Sequence, residues 1–408
     1  MLQIKKELQN KVSLWSVKFT FLWIASIFSS LSISMYLITE QWYVVNYLDL
    51  KNSLGLILTA TTLPRVLLML IGGVIADRHR RSKIIFLSLI TRCIMLVIMA
   101  IFFSNSLLSL SVLFIFALLF GASDAFFWSA RDSIIPKIVS KDQLVQANSV
   151  IQTTNQISVM LGPVVGAALL SFFSYSICFI IIATSLLVSA LLVYFLKEEK
   201  SSEIKETTLI RDLRDGISFV KDSRFLLTIM GTFIIVNLFF IGPLMLSIPI
   251  IANDTFGGKA IYLSILQSSF ATGMLLGAII MGLLNIKKKR GILTISLVAL
   301  EGILLIIYSQ TNLLWLAALI LLSIGICVSS INIPIVSLIQ ESTPTGIVGR
   351  VMSINTMVSM GLIPISYALV SALLNLSIDI RLILLYAGSI VLLFTLLLVF
   401  KASELKKA

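Results

Sequence analysis

The feature that most constrains this chain is its long, uninterrupted apolar runs, of which residues 186–196 and 382–400 are examples. Hydrophobic residues make up 58% of the 408 residues and charged residues only 12%, whereas about a quarter of a soluble domain is charged. A soluble fold of this size would expose much of that apolar surface to water. In a bilayer only helices and closed barrels satisfy their own backbone hydrogen bonds, and barrel strands are shorter and alternate in polarity. We therefore predict an all-α membrane protein.

A membrane-spanning helix needs about 20 apolar residues, and the sequence divides into twelve such segments. We predict helices at 16–46, 53–76, 83–104, 107–128, 146–171, 174–196, 224–252, 261–284, 291–309, 312–335, 347–374 and 380–400. Segments 1, 7 and 11 are longer than a span requires, so we expect them to be kinked or tilted.

The basic residues follow the same division of the chain. If both termini are cytoplasmic, the outside loops hold only Lys51, Lys259 and Arg381, while the inside segments include basic clusters at 78–83 and 287–290. An excess of Lys and Arg on cytoplasmic loops is the general rule for membrane proteins. We therefore predict a multi-pass protein of the bacterial plasma membrane with both termini inside. The same rule accounts for the net charge of +12 without a nucleic-acid partner.

A polar stretch at 197–223 divides the chain into an N-terminal half (1–196) and a C-terminal half (224–408), each with six predicted helices. Within this linker, apolar side chains recur at spacings of three and four, which predicts an amphipathic helix on the inner surface. These apolar residues are Ile210, Leu213, Ile217 and Val220.

The two halves are related by a weak parallel repeat. The stretch Gly73–Arg81 aligns with Gly282–Arg290, and Gly121 aligns with Gly325. Parallel six-helix repeats are the organisation of the major facilitator transporters.

The connection between segments 2 and 3 resembles the signature of the major facilitator superfamily in the same loop, in which a glycine and an aspartate precede basic residues. Here the pattern comprises Gly73, Asp77, Arg78 and Arg81. Glycine permits close helix approach, and Asp77 can face a helix N-terminus or an arginine. We expect this gate loop to latch one conformation of the transporter.

Segment 5 contains Gly162-Pro163-Val-Val-Gly166, which resembles the antiporter motif of the same superfamily, found in exporters that exchange substrate for protons. Segment 8 carries a second small-residue face at Gly273 and Gly277. The resemblance implies that segments 5 and 8 meet across the interface between the halves, with these glycines in contact. Ordinary packing of small residues is the alternative.

The stretch from Gly121 through Arg131, with Gly349-Arg350 after segment 10, resembles one branch of the superfamily. That branch comprises drug–proton antiporters, including macrolide-efflux, enterobactin-exporter and bacilysin-exporter proteins. The resemblance covers nearly the whole chain and implies fold and transport more strongly than substrate. The chain departs from it by lacking an arginine early in segment 4 and an acid near the middle of segment 1, which puts the usual proton pathway in doubt.

Charged residues inside the predicted spans are functional candidates, because each costs about 2.5–3.5 kcal/mol to insert. These are Glu40, Arg92, Asp124 and Glu301. In the family fold segments 1 and 4 line the cavity, so Glu40 and Asp124 are the candidate proton-coupling or substrate residues, and Arg92 is expected to pair with Asp124. The alternative for Glu40 is an acid that reaches the membrane interface. No role follows for Glu301.

Three aromatic side chains, Phe126, Phe127 and Phe240, are candidates for lining the substrate cavity, although packing is the commoner role of aromatic residues in membranes. The three cysteines and the single histidine show no metal-ligand spacing, and no pairing of a nucleophile with a base is evident. We therefore predict no metal, no cofactor and no enzymatic activity.

The sequence thus predicts a secondary transporter that functions as a monomer in the lipid bilayer and is driven by an ion gradient, taken to be protons. Its expected substrate is an amphipathic small molecule, such as an antibiotic, a siderophore or a peptide-like metabolite, bound between the halves and exported by alternating access. The alternatives are a nutrient or metabolite importer on the same fold and a lipid flippase.

Overall fold

The computed structural model describes residues 14–196, 217–284, 286, 289–344 and 347–401. These residues form twelve helices that are long and apolar enough to cross a membrane, and no strand occurs among them. In chain order they are α1 (Val17–Trp42, continued by a π-helix at Tyr43–Tyr47), α2 (Leu54–Arg78), α3 (Arg81–Ser104), α4 (Leu110–Ile138), α5 (Leu144–Phe172), α6 (Tyr175–Tyr194), α7 (Arg224–Val236, a π-helix at Asn237–Ile241, then Gly242–Asp254), α8 (Ala260–Leu284), α9 (Arg290–Gln310), α10 (Leu314–Glu341), α11 (Val348–Gly361 and Ile363–Asn375) and α12 (Ile380–Lys401). The predicted all-α membrane fold is confirmed.

The three segments expected to be kinked or tilted each contain an irregularity. The π-helical turns in α1 and α7 insert an extra residue per turn, which locally changes the helix direction. Helix α11 is interrupted at Leu362, and Pro364 opens its second part. Proline is well tolerated in the first turn of a helix, where its missing N–H would have no partner.

Helix α4 is longer than predicted, because it continues through Arg131 to Ile138. The prediction that α4 ends at residue 128 was wrong because a charged side chain was taken to mark a loop. Arg131 is fully buried, and Pro136 lies in the final turns.

Most of the polar linker at 197–223 cannot be compared with prediction, since residues 197–216 lie outside the described part of the chain. Residues 217–222 are helical and form the end of the predicted amphipathic helix. The domain boundaries therefore stay a prediction.

The helices pack mainly within two groups, α1–α6 and α7–α12. In the first group, α1 packs against α5 and α6, and both α2 and α3 pack against α4. In the second group, α8 and α9 pack against α10, and α9 also packs against α12. Contacts between the groups run along α2 with α11 and α5 with α8. This arrangement leaves a space between the two groups in the middle of the molecule.

The sequence repeat corresponds to a repeat in helix contacts. A Cβ on Gly121 would collide with the backbone carbonyl of Thr61 in α2, and a Cβ on Gly325 would collide with that of Phe270 in α8. The alignment that matches Gly73 with Gly282 also matches Thr61 with Phe270. Helices α4 and α10 therefore approach α2 and α8 at equivalent points, through a glycine in each case.

Candidate functional site: a central cavity with a charged wall

A cavity of about 440 Å³ lies between the two helix groups. It is lined by α1, α2, α4 and α5 from the first group and by α7, α8 and α11 from the second. Its wall is largely apolar, with one charged side chain, Arg65, and a few hydroxyl and amide groups. Small-molecule sites are typically cavities of about 300–1,000 Å³ with mostly apolar walls and a few polar groups.

One end of the cavity is closed by polar contacts between the helix groups. Asn46 Nδ2 donates to Asn253 Oδ1 at 2.8 Å, and Lys51 Nζ lies 2.6 Å from Asp254 Oδ2. These residues lie at the end that the distribution of basic residues predicts to be outside. Separation of the halves at this end requires both contacts to break.

A further contact between the groups crosses the cavity wall itself. Gln267 Nε2 of α8 donates to Gln41 Oε1 of α1 at 2.7 Å, and both side chains line the cavity. A polar substrate group could replace either partner of this hydrogen bond.

The charged wall of the cavity is built around Asp124. Arg92 Nη1 of α3 lies 3.0 Å from Asp124 Oδ1, the pair that the sequence predicts, and Arg65 Nε of α2 lies 3.4 Å from Asp124 Oδ2. Arg92 is completely buried, whereas the Arg65 side chain is 32% exposed and reaches the cavity. Two guanidinium groups therefore share one carboxylate, which leaves an excess positive charge at the cavity wall.

Aromatic rings flank these arginines. Arg92 Cζ lies 4.7 Å from the ring centroid of Phe127. The ring centroid of Trp128 lies 5.2 Å from Arg65 Cζ and 3.9 Å from Arg131 Cζ. Such cation–π contacts stabilise a guanidinium that has left water. Of these rings, only Trp128 lines the cavity.

None of the three predicted aromatic side chains lies on the described wall of this cavity, and their role in substrate binding stays a prediction. Phe127 is buried beneath Arg92, Phe240 is buried within the second helix group, and Phe126 is absent from the described cavity wall. The aromatic side chains on that wall are Trp128, Phe270 and Tyr367. The sequence identifies the aromatic residues, but it does not show which side chains face the cavity once the helices have packed.

Glu40 lies behind the cavity wall. Its Oε1 accepts a hydrogen bond of 2.7 Å from the Tyr36 hydroxyl, and Thr61 Oγ1 lies 3.4 Å from Oε2. Glu40 is fully buried, which excludes the alternative of an acid at the membrane interface. Thr61 lines the cavity one helical turn before Arg65, so it is the link between this buried carboxyl group and the cavity.

The predicted gate loop is mostly helical. Helix α2 continues through Arg78 and α3 begins at Arg81, and the Arg81 side chain is buried. The side chains of Asp77 and Arg78 lie outside the described part of the chain, so the latch stays a prediction. Gly73 does not mediate a close helix approach, since a Cβ there would meet nothing within 4 Å; Gly72 does, against α4.

Helices α5 and α8 meet between the two helix groups, as the resemblance implies, but the expected contact between their glycine faces was wrong. A Cβ on Gly162 or Gly166 would collide with side chains of α1, and a Cβ on Gly273 or Gly277 would collide with the backbone of α10. Both glycine pairs therefore permit close packing within their own helix group. Pro163, between the first pair, faces the central cavity.

Sequence reasoning missed two arginine side chains, the partly exposed Arg65 and the buried Arg131. Arg65 lies inside the predicted span 53–76, so the rule that selected Arg92 applies to it equally. Arg131 is buried and lies 2.8 Å from Asp132 Oδ1 and 3.3 Å from Asn155 Oδ1; its assignment to a loop concealed it.

Residues 22–367 match the family model of the Major Facilitator Superfamily. This chain belongs to the major facilitator superfamily. That membership confirms the predicted family and fold, and it makes the chain a membrane transporter rather than an enzyme.

Proteins similar to this chain are named for quite different substrates. Macrolide efflux protein A of Streptococcus pyogenes is 26% identical over 382 residues, covering 88% of this chain and 90% of the relative. A Na⁺, Li⁺, K⁺/H⁺ antiporter of Planococcus maritimus is 24% identical over 241 residues, covering 55% and 56%. The crystal structure of the nucleoside transporter NupG superposes with a TM-score of 0.75 at 14% identity, covering 94% of this chain and 99% of NupG.

Proposed function

We propose that this superfamily member is a secondary active exporter that moves an amphipathic small molecule out of a bacterial cell in exchange for protons. The central cavity, with Arg65 at its wall and Asp124 buried behind Arg65, carries the proposal. It combines a substrate-sized apolar space with a charge cluster that a proton can alter. The similarity to macrolide efflux protein A supports the direction and an antibiotic-like substrate.

The cavity wall suits a substrate with an apolar body and a few polar groups. Its volume of about 440 Å³ accommodates one drug-sized molecule. Met245 and Met274 contribute flexible thioether side chains, which adapt to varied apolar shapes. Gln41, Gln267 and Asn155 supply hydrogen-bonding groups that orient the polar part of the substrate.

Asp124 is our proposed coupling residue. As a carboxylate it balances part of the charge of Arg65 and Arg92. Protonation removes that charge and weakens its hold on Arg65, the arginine that reaches the cavity. The added positive charge at the wall then opposes binding of a substrate that carries a positively charged group. For such a substrate, proton binding and substrate release favour the same state, which is the linkage that an antiporter requires. Glu40 is a second carboxyl group that protons could reach through Thr61.

Alternating access follows from rocking of the two helix groups around the cavity. The state described here is closed at the predicted outer end by Asn46–Asn253 and Lys51–Asp254. Opening to the outside breaks these contacts and exposes the cavity for substrate release and proton entry.

A second candidate function is exchange of an inorganic cation for protons, the activity that the name of the Planococcus maritimus relative states. The observation that favours it is a small cavity in the second helix group whose lining includes the buried side chain of Glu301. It differs from the leading proposal in using no organic substrate.

Accumulation of a radiolabelled macrolide in a sensitive bacterial strain tests the export proposal. Cells that express the chain are expected to hold less label than cells with an empty vector, and Arg65→Gln is expected to abolish the difference. Lys259→Gln, in an outer loop away from the cavity, is the matched control and should retain export. Unchanged accumulation would refute macrolide export, and increased accumulation would indicate import.

A further inference from the structure

A second, much smaller cavity of about 50 Å³ lies within the C-terminal helix group, between α7, α9 and α10. Its polar lining residues are Thr232, Asn237, Glu301 and Asn332, and the remaining wall is apolar. It is far smaller than the central cavity, and a water molecule or a single ion is the kind of occupant that fits a small polar space. It is too small for the organic substrate of the central cavity.

Each neutral polar side chain of this cavity already donates one hydrogen bond within its own helix. The Thr232 hydroxyl donates at 2.8 Å, Asn237 Nδ2 at 2.8 Å and Asn332 Nδ2 at 2.9 Å, each to a backbone carbonyl of its own helix. Each of these side chains also carries an oxygen atom that can accept a hydrogen bond or coordinate a cation. Glu301 is 1% exposed and its Oε2 has no hydrogen-bond partner. A positively charged or hydrogen-donating occupant would supply the partner that this buried carboxylate oxygen lacks.

Comparison of the two halves shows which partner Glu301 lacks. The alignment that matches Gly73–Arg81 with Gly282–Arg290 places Glu301 at the position of Arg92. The alignment that matches Gly121 with Gly325 places Val328 at the position of Asp124, and Val328 lines the small cavity. The first half therefore has a buried ion pair where the second half has a carboxylate, a valine and a cavity.

No basic side chain within the described part of the chain forms an ion pair with Glu301. The thiol of Cys327 on α10 lies near Glu301 and carries no positive charge. A buried carboxylate without a counter-charge is costly in a protein interior and more so in a membrane. One monovalent cation would neutralise the site, whereas a divalent ion would leave an excess charge.

We propose that the cavity between α7, α9 and α10 binds one alkali-metal cation, with Glu301 supplying the negative charge and Thr232, Asn237 and Asn332 supplying neutral oxygens. Small hard cations prefer oxygen ligands. The π-helical turn Asn237–Ile241 borders the site, and irregular helix backbone in transporters commonly coordinates Na⁺. Asn332 is exposed and marks the entry path.

Thermal unfolding of the purified full-length protein, in detergent and without organic substrate, tests this site. The midpoint is expected to rise saturably by a few degrees as NaCl replaces choline chloride at constant ionic strength, because a ligand that binds only the folded state stabilises it. Equilibrium binding of ²²Na⁺ should give one ion per chain.

Glu301→Gln is expected to abolish both the Na⁺-dependent rise and ²²Na⁺ binding. Glu341→Gln is the matched control, since Glu341 is an exposed carboxylate on α10, and it should retain both. If Glu301→Gln does not fold, Thr232→Val keeps the charge, removes one oxygen and should shift Na⁺ binding about tenfold to higher concentration.

Equal midpoints in NaCl and choline chloride, with no bound ²²Na⁺, would overturn the proposal and assign Glu301 as a protonated carboxyl group. Retention of Na⁺ binding by Glu301→Gln would also overturn it. Neither result bears on macrolide accumulation, so failure of this site and failure of the export proposal are distinguishable.

Discussion

Arg92 and Asp124 form an ion pair between α3 and α4, with 3.0 Å between Nη1 and Oδ1, while the other carboxylate oxygen of Asp124 faces Arg65. Arg92 is completely buried, whereas Arg65 reaches the central cavity. A change at Asp124 therefore acts on the stability of the first helix group and on the charge of the substrate cavity.

Removing one member of the pair should destabilise the protein more than removing both. Loss of a single partner from a buried pair costs about 3–5 kcal/mol, since the other charge remains unpaired, whereas two apolar replacements avoid that cost. We expect Asp124→Leu to lower the thermal midpoint strongly and Arg92→Leu/Asp124→Leu to lower it less. A double variant less stable than the single variant would show that the pair does not behave as a buried ion pair.

The glycine contacts between α2 and α4 should be sensitive to a single methyl group. Gly121→Ala places a Cβ against the Thr61 carbonyl, and such overpacking costs about 1–3 kcal/mol. Gly325→Ala should have the same effect in the second half. Gly73→Ala and Gly282→Ala are matched controls, because a Cβ at either position meets nothing within 4 Å. Equal thermal midpoints for all four variants would contradict the close approach.

A covalent link at the closed end should stop transport. In a background with the native cysteines replaced, Asn46→Cys/Asn253→Cys brings two thiols to positions whose native side chains are hydrogen-bonded at 2.8 Å. We expect crosslinking without substrate, loss of transport, and recovery after reduction. Each single variant should remain active. Full transport by the crosslinked protein would rule out opening at this end.

Sidedness can be measured by labelling single cysteines in the same background. Asn105→Cys lies in the connection from α3 to α4, and His79→Cys lies in the connection from α2 to α3; both positions are exposed. A membrane-impermeant maleimide should label position 105 in intact cells and position 79 only after permeabilisation. The reverse pattern would invert the predicted topology.

The helices could be predicted from the sequence because the bilayer requires about 20 apolar residues per span. That requirement located the twelve helices closely, and the irregularities of α1, α7 and α11 fell in the three segments that were too long. The end of α4 could not be placed in this way, because burial of Arg131 depends on Asp132 and Asn155, which a hydropathy pattern does not reveal.

Parts of the candidate site were also readable from sequence. Arg92 and Asp124 stood out as charges in apolar runs, and Arg65 satisfies the same criterion. The partners of Gly162 and Gly273 were not predictable, because a small face permits close packing without specifying which helix packs against it. The direction of Phe127 depends on helix rotation, which Arg92 and the neighbouring helices determine.

The measurement that tests the central claim most directly is uptake of a labelled macrolide by everted membrane vesicles with an imposed pH gradient. The lumen of such vesicles corresponds to the outside of the cell, so an acidic lumen should drive substrate inward by proton exchange. We predict accumulation by the wild-type chain that a protonophore abolishes, and no gradient-driven accumulation by Asp124→Asn. Accumulation that is independent of both the pH gradient and Asp124→Asn would contradict proton-coupled export through this site.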